Sequence, residues 1–187
     1  MINLETPDYL ASMRSSMNNL AAGVLRPIAR KYDAAEHEYP AELDMFRGMQ
    51  ILGRPKKKKA DAPKPDGGNG KPKKGINLST VATIEEMCWG DAGLLLSIPN
   101  AGLGNAAIAA VATDEQLERF GGKWAAMAIT EPGSGSDSGS ITTTARRDGG
   151  EWVLNGEKIF VTCADRCDIV VVWATVDRSA GKSGIKS

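Results

Sequence analysis

The segment Met127 to Ser140, MAITEPGSGSDSGS, holds the groups in this chain best suited to grip an anion. It joins a short apolar run to carboxylates, a proline and small hydroxyl side chains set among glycines. A run such as Met127-Ala128-Ile129 can pair as a strand, and Pro132 then removes a backbone donor and ends regular structure. Gly133-Ser134-Gly135-Ser136 follows, a bare backbone rich in N–H and O–H donors that can wrap closely around a phosphate. The competing reading is a solvated turn between two strands. A dinucleotide fingerprint of the strand-to-helix kind is excluded. The glycines run G-x-G-x-x-x-G, and the next segment, SITTTARR from Ser140 to Arg147, is β-branched where that fingerprint needs a helix N-terminus.

Other candidate chemistry is sparse. Cys88, Cys163 and Cys167 are the only cysteines, an odd count that suits reduced thiols better than a disulfide framework. Cys163 and Cys167, with Asp165 and Asp168 nearby, do not have zinc spacing, and the single histidine, His37, is distant in sequence. No metal site is assigned. Packed thiols are the expectation.

The elements that must position the glycine–serine segment divide into two regimes. The first half reads helical. Thr6-Pro7-Asp8 is a plausible start, and Leu10, Met13, Met17, Leu20 and Val24 recur at three- and four-residue steps as one apolar stripe. Pro27 is expected to interrupt or kink this helix, with a second piece running to Tyr32. A short helix fits Pro40 to Leu52, with Leu43, Phe46 and Ile51 on its inner side. Helices resume near Ser79 or Thr80, with Val81, Ile84 and Met87 expected inward. Leu94 to Ile98 forms a buried turn or two, and Ala101 to Ala112 is rich in small residues. Thr113-Asp-Glu-Gln116 matches a capping box that opens a helix to Phe120. From Trp124 onward the period changes to two. Strands are expected over 124–130, 140–147, 151–155, 158–162 and 168–175, with tight turns at Asp148-Gly149-Gly150 and Asn155-Gly156. The chain is thus read as α+β: an N-terminal all-α domain over 1–122 and an incomplete antiparallel β-barrel domain over 123–187.

Residues 54–75, RPKKKKADAPKPDGGNGKPKKG, carry nine Lys/Arg against two Asp and no large apolar side chain. Such a stretch cannot bury enough surface to order itself, so a mobile loop is expected. It is either a basic patch for nucleic acid, an acidic partner or coenzyme phosphates, or a solvated insertion; the lack of interleaved aromatics argues against base stacking. Formal net charge is zero, which gives no global electrostatic case for nucleic acid or anionic membrane. The N-terminus lacks a secretory signal pattern, and the apolar run Ile169 to Ala174 is too short to span a bilayer, so a cytoplasmic protein is expected.

The pattern A-I-T-E-P-G-S-G-S-D-S-G-S from Ala128 to Ser140, with N-G-E-K-I-F-V-T from Asn155 to Thr162, resembles the flavin-binding segment of the acyl-CoA dehydrogenases. L-R-P-I-A-R-K-Y-D from Leu25 and D-E-Q-L-E-R-F from Asp114 are similar to helical segments of the same family. The resemblance implies a tightly held FAD and oxidation of the Cα–Cβ bond of an acyl-CoA thioester. It implies electron-transfer flavoprotein or another acceptor as partner, and a homotetramer. By this likeness the backbone of Met127 and Ile129 and the hydroxyl of Thr130 touch the flavin ring. Ser136, with the Gly135 backbone, meets the FAD pyrophosphate. Phe160 lies against the flavin face, where tryptophan is common in the family, and Thr162 bonds near N5. Gly133, Ser134 and Ser136 border the path of the acyl-CoA. Glu131 and Asp137 are read as bracing the loop by accepting backbone N–H groups, not as catalytic acids.

The family's catalytic glutamate and its subunit-crossing arginines lie in a C-terminal helical domain, which is expected to fall outside these 187 residues. No catalytic residue is therefore assigned, and the isolated chain is expected to be inactive. Alternatives on the same scaffold are an acyl-CoA oxidase, a nitroalkane oxidase or a flavin monooxygenase. Outside enzymes, the alternatives are a non-catalytic partner or a nucleic-acid-binding relative using the lysine loop.

Overall fold

The computed structural model describes residues 7–47, 76–99 and 103–187. These fall into two compact units, one holding residues 7–47 and 76–99 and the other residues 103–187.

In the helical unit, α1 (Asp8–Leu20) runs through a π-helical turn (Ala21–Leu25) into α2 (Arg26–Ala34). Pro27 was expected to interrupt or kink this helix; the α-helical ladder does change at a π turn just before it, Pro27 sits in the first turn of α2, and the chain remains helical from Asp8 to Ala34. The wider i→i+5 turn just before it absorbs the ring and the lost N–H that would otherwise break the ladder. A 3₁₀ turn (Ala41–Phe46) buries Leu43 and Phe46; the rest of the helix expected there lies outside the described residues, as does the 54–75 loop. Helix α3 (Ile76–Gly90) begins earlier than expected. Met87 is buried as expected, but Val81 and Ile84 are 61 % and 38 % exposed, and Ala82 and Gly90 are buried instead. The buried stripe is set by close approach. A Cβ on Gly90 would fall 2.9 Å from the Ala21 Cβ and 3.0 Å from the Leu25 Cβ, so only glycine lets α3 lie against the π turn. Helix α4 (Ala92–Leu96), N-capped by the Asp91 carboxylate, adds Leu94, Leu95 and, just beyond it, Ile98 to the core.

In the second unit, α5 (Leu103–Val111) packs on β1 (Ala125–Ala128), and α6 (Asp114–Phe120) opens on the expected capping box between Thr113 and Gln116. Gly104 is the seat of that packing, since a Cβ there would lie 2.2 Å from the Ala126 carbonyl oxygen. The remaining strands are β2 (Thr144–Asp148), β3 (Glu151–Asn155), β4 (Ile169–Val172), β5 (Ala174–Thr175) and β6 (Ile185–Lys186). One ladder pairs β1 with β4 in parallel, Ala125 opposite Ile169. The other has the order β3-β2-β5-β6, with antiparallel β2–β3 and β5–β6 pairs and a parallel β2–β5 contact. The β2–β3 hairpin closes through Asp148-Gly149-Gly150 with Gly149 at φ 59°. Trp173 parts the expected 168–175 strand in two: its N–H donates to the Ala128 carbonyl, and the next residue already belongs to the other ladder.

The strand expected over 158–162 does not form. Gly156 is at φ 153°, Phe160 at φ 57° and Cys163 at φ 60°, values no continuous ladder tolerates. The segment is fixed one bond at a time instead.

Candidate functional site

The end of β1 and the segment 156–163 meet around one carboxylate. Glu131 is 4 % exposed and accepts four hydrogen bonds. The Thr142 N–H and hydroxyl reach Oε2 at 2.6 and 2.7 Å, and the Thr143 N–H and Lys158 ammonium reach Oε1, both at 2.8 Å. Burial pushes this carboxyl toward the neutral form. The Lys158 bond, the Thr143 contact and the two backbone donors outweigh it, so the group is held well below the usual carboxylate range. Glu131 therefore stays ionised as a brace, the role read for it from sequence. The backbone of Glu131 also exchanges two bonds with Ser134, closing the Pro132-Gly133 turn.

Lys158 supplies the second half of this brace. Its side chain is 10 % exposed, and its ammonium donates to the Ile129 carbonyl at 2.9 Å as well as to Glu131. The Ile159 N–H donates to the Thr130 carbonyl at 2.9 Å. Sequence reasoning missed Lys158, although each of the two motifs carries one end of this pair, an opposite charge that must find a partner if both segments are to be buried.

The residues singled out by sequence gather here. Met127 lies in β1 opposite Val171, half-buried. Ile129 and Thr130 continue past the strand, their carbonyls taken by Lys158 and Ile159. Phe160 lies one residue beyond that junction and is 87 % exposed. Thr162 is exposed. Cys163, buried behind it, accepts a hydrogen bond from the Arg166 guanidinium at 3.0 Å. Gly133 and Gly135 are exposed, and a Cβ on either would meet no protein atom within 4 Å; neither has a positive φ. Neither protein crowding nor backbone strain calls for glycine at these two places, and they leave room for a group that comes from outside the chain.

Ser134 is buried and its hydroxyl donates inward to the Asp137 carbonyl at 2.5 Å. Ser136 is exposed and borders a 250 Å³ groove with Ile129, Ser138, Trp173, Lys182 and Ile185. Asp137, also read as a loop brace, accepts from the Ser140 hydroxyl. Among the described residues no group of three or more His, Cys, Asp or Glu side chains is arranged to hold a metal, and no helix is long and apolar enough to cross a membrane.

Two family models account for nearly the whole chain. The N-terminal domain of acyl-CoA dehydrogenase matches residues 8–128 and its middle domain matches residues 126–187. The chain is 36 % identical over 187 residues to a 3-(aryl)acrylate reductase of Clostridium sporogenes, covering 92 % of this chain and 45 % of that protein. It is 40 % identical over 159 residues to the caffeyl-CoA reductase-Etf complex subunit CarC of Acetobacterium woodii, covering 80 % and 39 %. The structure superposes on butyryl-CoA dehydrogenase of Megasphaera elsdenii with a TM-score of 0.74 at 27 % identity, covering 98 % of this chain and 48 % of that one. The chain spans less than half the length of these relatives.

Proposed function

This chain belongs to the acyl-CoA dehydrogenase family, and from that premise we propose that it forms the flavin-facing and acyl-CoA-facing part of an FAD-dependent oxidoreductase acting on the Cα–Cβ bond of acyl-CoA thioesters. Residues 1–122 are its helical domain and 123–187 the first part of its β domain. The observation that carries the reading is Phe160: a large aromatic, 87 % exposed in a left-handed backbone state, set next to the Thr130 junction. Exposed apolar residues are ordinary, but this one also holds a left-handed backbone state whose cost its exposed ring does not return. A flat ring system from outside the chain gives it a purpose.

In this reading the residues divide the work. Phe160 offers the face against which the isoalloxazine lies, and Thr162 bonds near N5. The Met127 and Ile129 backbone and the Thr130 hydroxyl address the ring edge, where hydrogen bonds favour charge on the reduced form. Ser136 and the Gly135 backbone take the diphosphate. Gly133, Ser134 and Ser136 border the acyl-CoA, with the Ser134 hydroxyl committed to the loop itself. Bound FAD supplies the hydride acceptor. Glu131, already engaged by four donors, is unsuited to proton abstraction. No catalytic base is therefore nominated, and the chain alone should turn over negligibly. Electron-transfer flavoprotein is the proposed electron partner, in line with the Etf complex to which the CarC relative belongs.

The two reductases among the relatives favour a second reading, in which the same site runs in reverse and reduces the double bond of an α,β-unsaturated, aryl-bearing acyl group. The test is purification of the full gene product followed by a visible spectrum and FAD titration. A yellow protein, or one that quenches added FAD stoichiometrically, is expected. A colourless protein indifferent to FAD refutes the proposal. Assays with saturated and with cinnamoyl-type CoA thioesters then separate the two directions.

A further inference from the structure

Resting on the flavin reading above, we propose that Lys158 is a positioning residue: its ammonium, seated between the Ile129 carbonyl and Glu131, fixes the chain so that Phe160 presents its ring at the site. Phe160 cannot fix itself. With 87 % of its surface exposed, the ring has almost no protein contact to hold it, and at φ 57° its backbone occupies a state that persists only where the surroundings impose it. The imposing contacts lie immediately before it in the chain. The Ile159 N–H is tied to the Thr130 carbonyl, and the Lys158 ammonium reaches two acceptors at 2.8 and 2.9 Å. Both acceptors belong to the Ile129–Glu131 stretch that carries the flavin-edge groups. Gly156, two residues before Lys158, adds to the constraint, since a Cβ there would fall 2.4 Å from the Thr143 hydroxyl.

Stability alone does not account for a lysine here. Burying an ion pair gains little over well-packed apolar side chains of the same size, whereas two fixed acceptors impose direction. What the pair secures is a coordinate: the two motifs cannot slide past each other without leaving a charge unpaired.

The test is a double-mutant cycle in the full gene product with Lys158→Met, Phe160→Ala and the two combined, read by FAD affinity from flavin fluorescence. Lys158→Met should weaken FAD about tenfold, the loss expected for one charge-assisted hydrogen bond, and should add almost nothing once Phe160 is alanine. Independent, multiplying losses, or an unchanged affinity, overturn the proposal. A readout without cofactor is chymotrypsin cleavage after Phe160. The wild-type bond should be cut slowly and the Lys158→Met bond about tenfold faster, while Lys158→Arg restores both readouts. An unaltered cleavage rate refutes the positioning role even if FAD binds, whereas wild-type protein that ignores FAD refutes the flavin reading alone. Should Lys158→Met not fold, the E131Q/K158M variant removes both charges together and is expected to fold with the same losses.

Discussion

The helical unit and the strand unit solve the same problem by different means. The helical unit is centred on apolar side chains, with Ala21, Leu25, Leu43, Phe46, Met87 and Ile98 each at 1 % exposure or less. Its ion pairs include the exposed Lys31–Glu42 and the part-buried Arg14–Glu86. The strand unit buries apolar residues too, yet every buried polar side chain among the described residues lies in it: Glu131, Ser134, Thr143 and Thr175. Apolar packing is non-directional and tolerates small shifts. Hydrogen bonds to a buried charge are directional and set positions to a fraction of an ångström. The unit that carries the candidate site uses the second kind of glue, which suggests that placement, more than stability, shaped it.

That contrast can be broken by experiment. The largest effect is expected from Glu131→Ala, which strands the Lys158 ammonium and two backbone donors. A loss of about 3–5 kcal/mol is expected, measured by urea unfolding followed through the tryptophans. Leu25→Ala should cost about 3 kcal/mol by leaving a cavity in the helical unit; circular dichroism gives the value. If the Leu25 change abolishes FAD binding while the Glu131 change spares it, the division of labour is wrong. Acid provides a milder probe. Glu131 is depressed below its ordinary value of 4.5, so its stabilising contribution is complete above that pH and is lost as pH falls toward and through its folded value. Glu42, on the surface of the helical unit, is lowered to about 2 by its bonds from Tyr32 and Lys31. High salt should flatten the acid response of the helical unit and leave that of the strand unit, because only exposed pairs are screened effectively. Smallest of all is Gly135→Ala. Melting should move by less than about 0.5 kcal/mol, since the new methyl meets nothing in the protein. FAD affinity should nonetheless drop severalfold, and an unchanged affinity would remove the open glycines from the argument.

Much of this was legible in the sequence where the signal is local. The Thr113–Gln116 capping box, the Asp148-Gly149-Gly150 hairpin and the bracing role of Glu131 each depend on neighbours within a few residues or on the chemistry of a single side chain. The family membership carried by the 128–140 and 155–162 motifs was readable because their pattern is long. The signal failed where distant partners decide. The inward face of α3 is chosen by Gly90 meeting Ala21 and Leu25, not by the run of large apolar residues along the helix. The 158–162 segment has the alternation of a strand, but the Ile159 N–H goes to Thr130 and Phe160 turns to φ 57°, so no ladder forms. The parallel β1–β4 pairing joins residues 44 positions apart, and no turn motif announces it.

The handover at Trp173 has a mechanical result. With one residue separating β4 from β5, the two ladders share a common phase. A one-place slip in either would turn every side chain of that strand to the opposite face and would drag its neighbour with it. The sheets behave like two gears cut on a single shaft, and a disturbance at the groove beside Trp173 would be felt in both at once.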